Sequence, residues 1–245
     1  AYVAQYLTFN QMLINIFSFN IIWVFIECLP ILFAVKYGID LWIWLRAVLG
    51  RKGVAVLSTV ISLANFGWYA VTANLFASSM IHLGNNFGLG LDKGVWAPIL
   101  GTLCVLLGTL IALGGPEVIK GTNRFLVVAL LFVGLIIVGI CFVAVPIRDI
   151  MNVQPAIQEN LTPIERFMMS GEGNVAVAFS WSTQAFVLPR LAKSERSGYW
   201  ATALSYGVVA PFFAATGGVM ALAMFVKTGV YESDPTTMLS TLSTP

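Results

Sequence analysis

Apolar residues along this chain run in long blocks instead of alternating with polar ones, and short clusters rich in Lys, Arg, Asp, Pro and Gly separate the blocks. Crossing a bilayer as a helix takes about 20 mostly apolar residues. Six blocks approach or exceed that length, at 12–35, 54–80, 95–113, 125–145, 174–191 and 199–226, named here spans A to F. Between A and B the stretch 39–46 is too short to cross and carries Trp42 and Trp44, so it reads as an interfacial helix with its indoles at headgroup depth. The D–E connection, 146–173, is polar and punctuated by Pro146, Pro155 and Pro163, which predicts a long loop. After span F, 236–242 reads as the start of another helix. The pattern predicts an all-α polytopic membrane protein, with one transmembrane domain over residues 1–245.

Composition narrows the class further. Of 245 residues, 58% are hydrophobic and only 10% charged. Soluble domains carry about 25% charged residues, so a soluble or disordered chain is excluded, and a membrane β-barrel would show short alternating segments instead. The net charge of +2 gives no footprint for nucleic acid. Chemistry is sparse. With His82 as the one histidine there is no HExxH zinc motif and no histidine-based nucleophile dyad, and no GxxxxGK[ST] phosphate loop occurs. Cys28, Cys104 and Cys141 fall in three different spans, which offers neither a disulfide framework nor a CxxC site. The expectation is a protein that is not an enzyme, with no metal and no cofactor, whose partners are the lipid bilayer and a small solute. Ala1 is not an initiator methionine, residues 1–11 show no basic leader, and both ends read as cut from a longer protein.

Basic residues orient the spans. The A–B, C–D and E–F loops hold Lys36, Arg46, Arg51, Lys52, Lys120, Arg124, Arg190, Lys193 and Arg196. The opposite side holds Lys93, Arg148, Arg166 and Lys227. Lys and Arg accumulate in cytoplasmic loops. The A–B, C–D and E–F loops are therefore expected in the cytoplasm, with the chain in the plasma (inner) membrane.

Polar groups within the spans are the candidates for function, because hydrocarbon tolerates them only against other helices or a water-filled cavity. In span B, Asn65, Trp68, Tyr69 and Thr72 follow spacings that place them on one helical face. That face serves either a ligand or interhelical packing. Span E surrounds Trp181 with Ser180, Ser182, Thr183 and Gln184. Ser and Thr compete for backbone hydrogen bonds, which suits a discontinuous helix at the midplane; a polar but continuous helix is the alternative. Glu27 is the one acidic residue well inside a span. It is a candidate coupling carboxylate, or a structural one beside Pro30.

The stretch Leu45-Arg46 through Gly50-Arg51-Lys52-Gly53, followed by Asn65-Phe66-Gly67-Trp68-Tyr69, resembles the nucleobase:cation symporter-1 family of cytosine and hydantoin permeases. Ser180-Trp181 similarly resembles that family's sixth-helix Gly-Ser-Trp/Phe motif. The resemblance covers roughly 12–230 as an order of spans, and spans A to F would match family helices two to seven. It implies a partial leucine-transporter-type fold, the inverted-repeat architecture of the APC superfamily, with six transmembrane helices in this piece. It also implies a permease that imports nucleobases or related heterocycles (cytosine, purines, allantoin, hydantoin) with Na⁺ or H⁺ by alternating access. By position, Asn65, Trp68 and Trp181, with Ser180 beside them, would line the substrate site, and Tyr69 and Gln184 are added from their neighbouring positions. Trp181 and Trp68 would then sandwich the ring, with span E broken at 180–184. Three positions depart from the family pattern: Arg190 stands where relatives have Asp, Tyr69 where they have Phe or Gln, and Phe179 where they have Gly. The other readings of the residues are a transporter of the same fold for an amino acid or vitamin, and a non-transporting receptor or assembly subunit.

Overall fold

A computed structural model describes residues 2–155, 161–185 and 189–243, apart from the side chains of Glu27, Ala178, Phe179 and residues 181–185. Every regular element among the described residues is helical. Five helical stretches among them are long and apolar enough to cross a membrane: Phe9–Tyr37, Leu41–Asn86, Lys93–Leu113, Gly115–Ala144 and Glu195–Thr228. The chain is an all-α membrane protein.

Helix α1 is the short Tyr2–Tyr6, and α2, Phe9–Tyr37, realises span A. A reciprocal box opens α2, in which Gln11 N–H donates to the Thr8 hydroxyl and Thr8 N–H donates to the Gln11 side chain. Helix α3, Leu41–Asn86, contains both the short segment expected at the interface and span B. They are parted at Gly50, whose φ of 66° and ψ of 176° interrupt the helix. That region of backbone space is open essentially to glycine alone. Asp92 caps α4, Lys93–Leu113, by accepting from Val95 N–H at 3.0 Å. Helix α5, Gly115–Ala144, begins ten residues before the expected start of span D.

The D–E connection differs most from expectation. It contains α6, Ile147–Met151, and the first half of α7, Pro163–Ala185. Pro163 begins this helix instead of breaking it. Proline at the first helical position gives up an N–H that has no helical partner anyway. Thr162 and Glu165 close a second box: Glu165 accepts from Thr162 N–H at 2.7 Å and its own N–H donates to the Thr162 hydroxyl at 3.3 Å. The Thr-x-x-Glu spacing signals this start in the sequence. Helix α7 carries Glu165, Arg166 and Glu172 together with Ser, Gly and Asn residues, and it is not among the five apolar helices. Span F is a relay of α8, Glu195–Leu204, a π-helical turn at Ser205–Val209, and α9, Ala210–Thr228. Pro211 cannot donate to the Gly207 carbonyl and its ring crowds that turn, so the helix widens just before it, where Ala210 N–H reaches the Ser205 carbonyl. Helix α10, Pro235–Ser243, fulfils the helix expected at 236–242.

The chain divides into two compact units, Ala1–Val48 with Gly134–Pro245, and Leu49–Val133. In the first, α2 packs along α7, α8 and α9. Its core joins Leu7, Met12 and Ile16 to Cys141, Ile150, the buried run 219–224 of α9, and Met238 and Leu242 of α10. A second cluster, Val24, Cys28, Ile31 and Ala34, receives Leu41, Tyr199 and Tyr206. The second unit is lightly packed: α4 has no buried residue, and Val54, Ala77, Ile81 and Gly84 are the buried positions of α3. Lipid tails are as apolar as leucine, so helices in a bilayer gain nothing from hiding leucines and associate through small and polar residues. Gly101 of α4, within 3.7 Å of Ala73 once a Cβ is added, marks such a close approach.

Candidate functional site

The candidates on α3 form a continuous stripe, since Asn65, Trp68, Tyr69 and Thr72 all sit in uninterrupted helix beyond Gly50. Asn65 is half-buried, Trp68 is 42% exposed and Tyr69 64% exposed. The Thr72 hydroxyl donates to the Trp68 carbonyl at 2.9 Å. Its proton is therefore committed to the backbone, and the stripe's recognition chemistry reduces to one amide, one indole and one phenol. An amide presents two donors and an acceptor in one plane, and the aromatic faces supply stacking. Together they suit a flat, amide-edged ring.

On α7 the backbone is helical through residues 180–184, with no break at the position expected from the motif. The Ser180 hydroxyl donates to the Val177 carbonyl at 2.6 Å. This back-bond keeps the Ser180 hydroxyl within the helix. The described helix extends to Ala185, and Pro189–Leu191 form a 3₁₀ turn. The Trp181 and Gln184 side chains, and with them the Trp68–Trp181 sandwich, lie outside the described residues, as does the carboxylate of Glu27. The backbone of α2 continues through Pro30 without interruption.

Two polar features were not singled out from the sequence. The first is a cavity of about 520 Å³ between α3 and α4, where Asn74 and Thr102 are the polar groups among apolar neighbours. Asn74 lies nine residues from Asn65, half a turn round the helix and so on the opposite face. The second is a node between α2 and α7. Asn15, fully buried, donates through Nδ2 to the Phe167 carbonyl at 2.7 Å, and its Oδ1 accepts from Asn174 Nδ2 at 2.9 Å. Phe167 O can only accept, which fixes the Asn15 amide orientation and leaves its oxygen for Asn174. Ser170, on the same face of α7, is also fully buried, and its hydroxyl has no hydrogen bond among the described residues. The signal for this node was an asparagine at 15 inside an apolar span, opposite which only folding could place Asn174.

No group of three or more His, Cys, Asp or Glu side chains suited to a metal ion occurs among the described residues. The ion pairs among them are Lys120–Glu117 at 2.7 Å and Arg190–Asp40 at 3.1 Å. No protein-family model, curated protein or solved structure matches this chain.

Proposed function

We propose that this chain belongs to a secondary active transporter for nucleobases or related small heterocycles, driven by Na⁺ or H⁺ and working by alternating access. The A–B, C–D and E–F loops are cytoplasmic in this reading. The observation that carries it is the α3 stripe: an amide, an indole and a phenol in register on one face of a long apolar helix, with both aromatic side chains substantially exposed within their own unit. The local motif around these residues, from Arg46 to Tyr69, adds support through its resemblance to cytosine and hydantoin permeases. Asn65 would read the amide-like edge of the ring and Trp68 would stack on it. Ser180, Trp181 and Gln184 remain proposed contributors from α7, and Glu27 a proposed coupling carboxylate.

The test is uptake by the full-length protein across a panel of labelled heterocycles, amino acids and vitamins. Trp68→Ala should raise the apparent substrate constant up to about tenfold at near-normal expression, since aromatic stacking contributes about 0.5–1.5 kcal/mol beyond area. Asn65→Ala should alter the ranking among heterocycles. Wild-type uptake in both variants, or transport confined to a non-aromatic solute, would return the stripe to helix packing.

A further inference from the structure

The segment from Ile39 to Leu49 has a construction that the transport reading does not use. It begins after Gly38, the left-handed cap of α2 with φ 63°, and ends at Gly50 with φ 66°. An added Cβ at either glycine would meet nothing within 4 Å, so neither is glycine for want of space. Both are glycine because the backbone turns there through conformations that other residues rarely adopt. A short helix is thus bounded at each end by a swivel.

Three contacts within the first unit hold this helix. Leu41 packs on the Val24–Cys28–Ile31–Ala34 cluster. Trp44 stacks on Phe33 of α2, with ring centroids 6.3 Å apart and planes 20° from parallel. Asp40 makes two bonds at once. Its Oδ1 accepts from Ile43 N–H at 2.9 Å and caps the segment, while its Oδ2 accepts from Arg190 at 3.1 Å. Arg190 belongs to the 3₁₀ turn that follows α7. Ile43 and Val48 of the segment remain exposed.

The clasp is closed but incompletely satisfied. Asp40 and Arg190 are 26% and 33% exposed, and the buried Arg190 Nε has no acceptor among the described residues. An unpaired buried donor opposes the attraction of the pair, and a pair this exposed is weak to begin with. Such a contact opens and closes easily.

We propose that residues 39–49 form a strap, swivelled at Gly38 and Gly50 and clasped by Asp40 and Arg190, which ties the end of α7 through the covalent chain to the start of the long part of α3. Opening the clasp removes the one polar contact of the three and shifts the strap toward release as a unit, because the cap through Oδ1 keeps its helix intact. The strap does not depend on the identity of any substrate.

The experiment uses the full-length protein in proteoliposomes, with a nitroxide at Arg46→Cys in a Cys104→Ser background, read by continuous-wave electron paramagnetic resonance. Asp40→Asn keeps a capping oxygen for Ile43 and removes only the charge, and Arg190→Gln leaves the strap sequence untouched. Each should raise the mobile population of the label about two- to fivefold, the range an ion pair of this exposure supports. The double variant should show no further rise, since both changes open one clasp. Unchanged mobility in both single variants, or independent additive effects, would overturn the proposal. Either single variant suffices should the other fail to accumulate in the membrane.

Discussion

Replacing Asn15 by alanine removes the centre of the α2–α7 node. Two hydrogen bonds go, one of 2.7 Å to the Phe167 carbonyl and one of 2.9 Å from Asn174. Interhelical polar contacts in membranes contribute about 0.6 kcal/mol on average and about 1.7 at most, because the unfolded chain in the bilayer also finds partners. Losing both therefore destabilises by about 1–3 kcal/mol. Asn174→Ala removes only the second bond and should cost about 0.6–1.7 kcal/mol. The double variant gives the sharper number. The two substitutions share the Asn15–Asn174 bond, so the double-mutant cycle should return a coupling of about 0.6–1.7 kcal/mol, clearly above the roughly 0.3–0.5 kcal/mol within which unrelated sites add. Equilibrium unfolding in mixed micelles, followed by circular dichroism, measures all four corners. Strict additivity would refute the node, as would an Asn15→Ala protein with wild-type stability.

Two further outcomes follow from the packing and the charge distribution. A Cβ at Gly171 would overlap the Phe19 ring, which is rigid, whereas at Gly218 it would meet the Met12 Sδ at 2.5 Å, on a side chain that swings aside. In thermal unfolding, Gly171→Ala should destabilise by about 1–3 kcal/mol and recover in part with Phe19→Leu, while Gly218→Ala should cost distinctly less; equal losses would contradict this packing. For orientation, a cysteine at Arg51 should be shielded from impermeant thiol reagents in intact cells and one at Gln154 should react, and the reverse pattern would invert the proposed sidedness.

Block lengths in the sequence determined that the chain is helical and membrane-embedded, because a bilayer demands about 20 apolar residues per crossing whatever they pack against. A short helix ahead of span B was equally legible, since 39–46 is too short to cross. The stripe of Asn65, Trp68 and Tyr69 needed only the period of a helix. Misreading began where a local signal had two meanings. Pro163 breaks a helix from within but starts one when Thr162 and Glu165 cap it, and Ser180 unwinds a helix or bonds back into it, as it does to Val177. Beyond the reach of any local rule were the contacts joining distant segments. Asn15 finds Asn174 across 159 positions and Asp40 finds Arg190 across 150. A polar side chain in an apolar span announces that it needs a partner, but not which one. That choice belongs to the tertiary structure, because it depends on which helix faces are brought together and at what register.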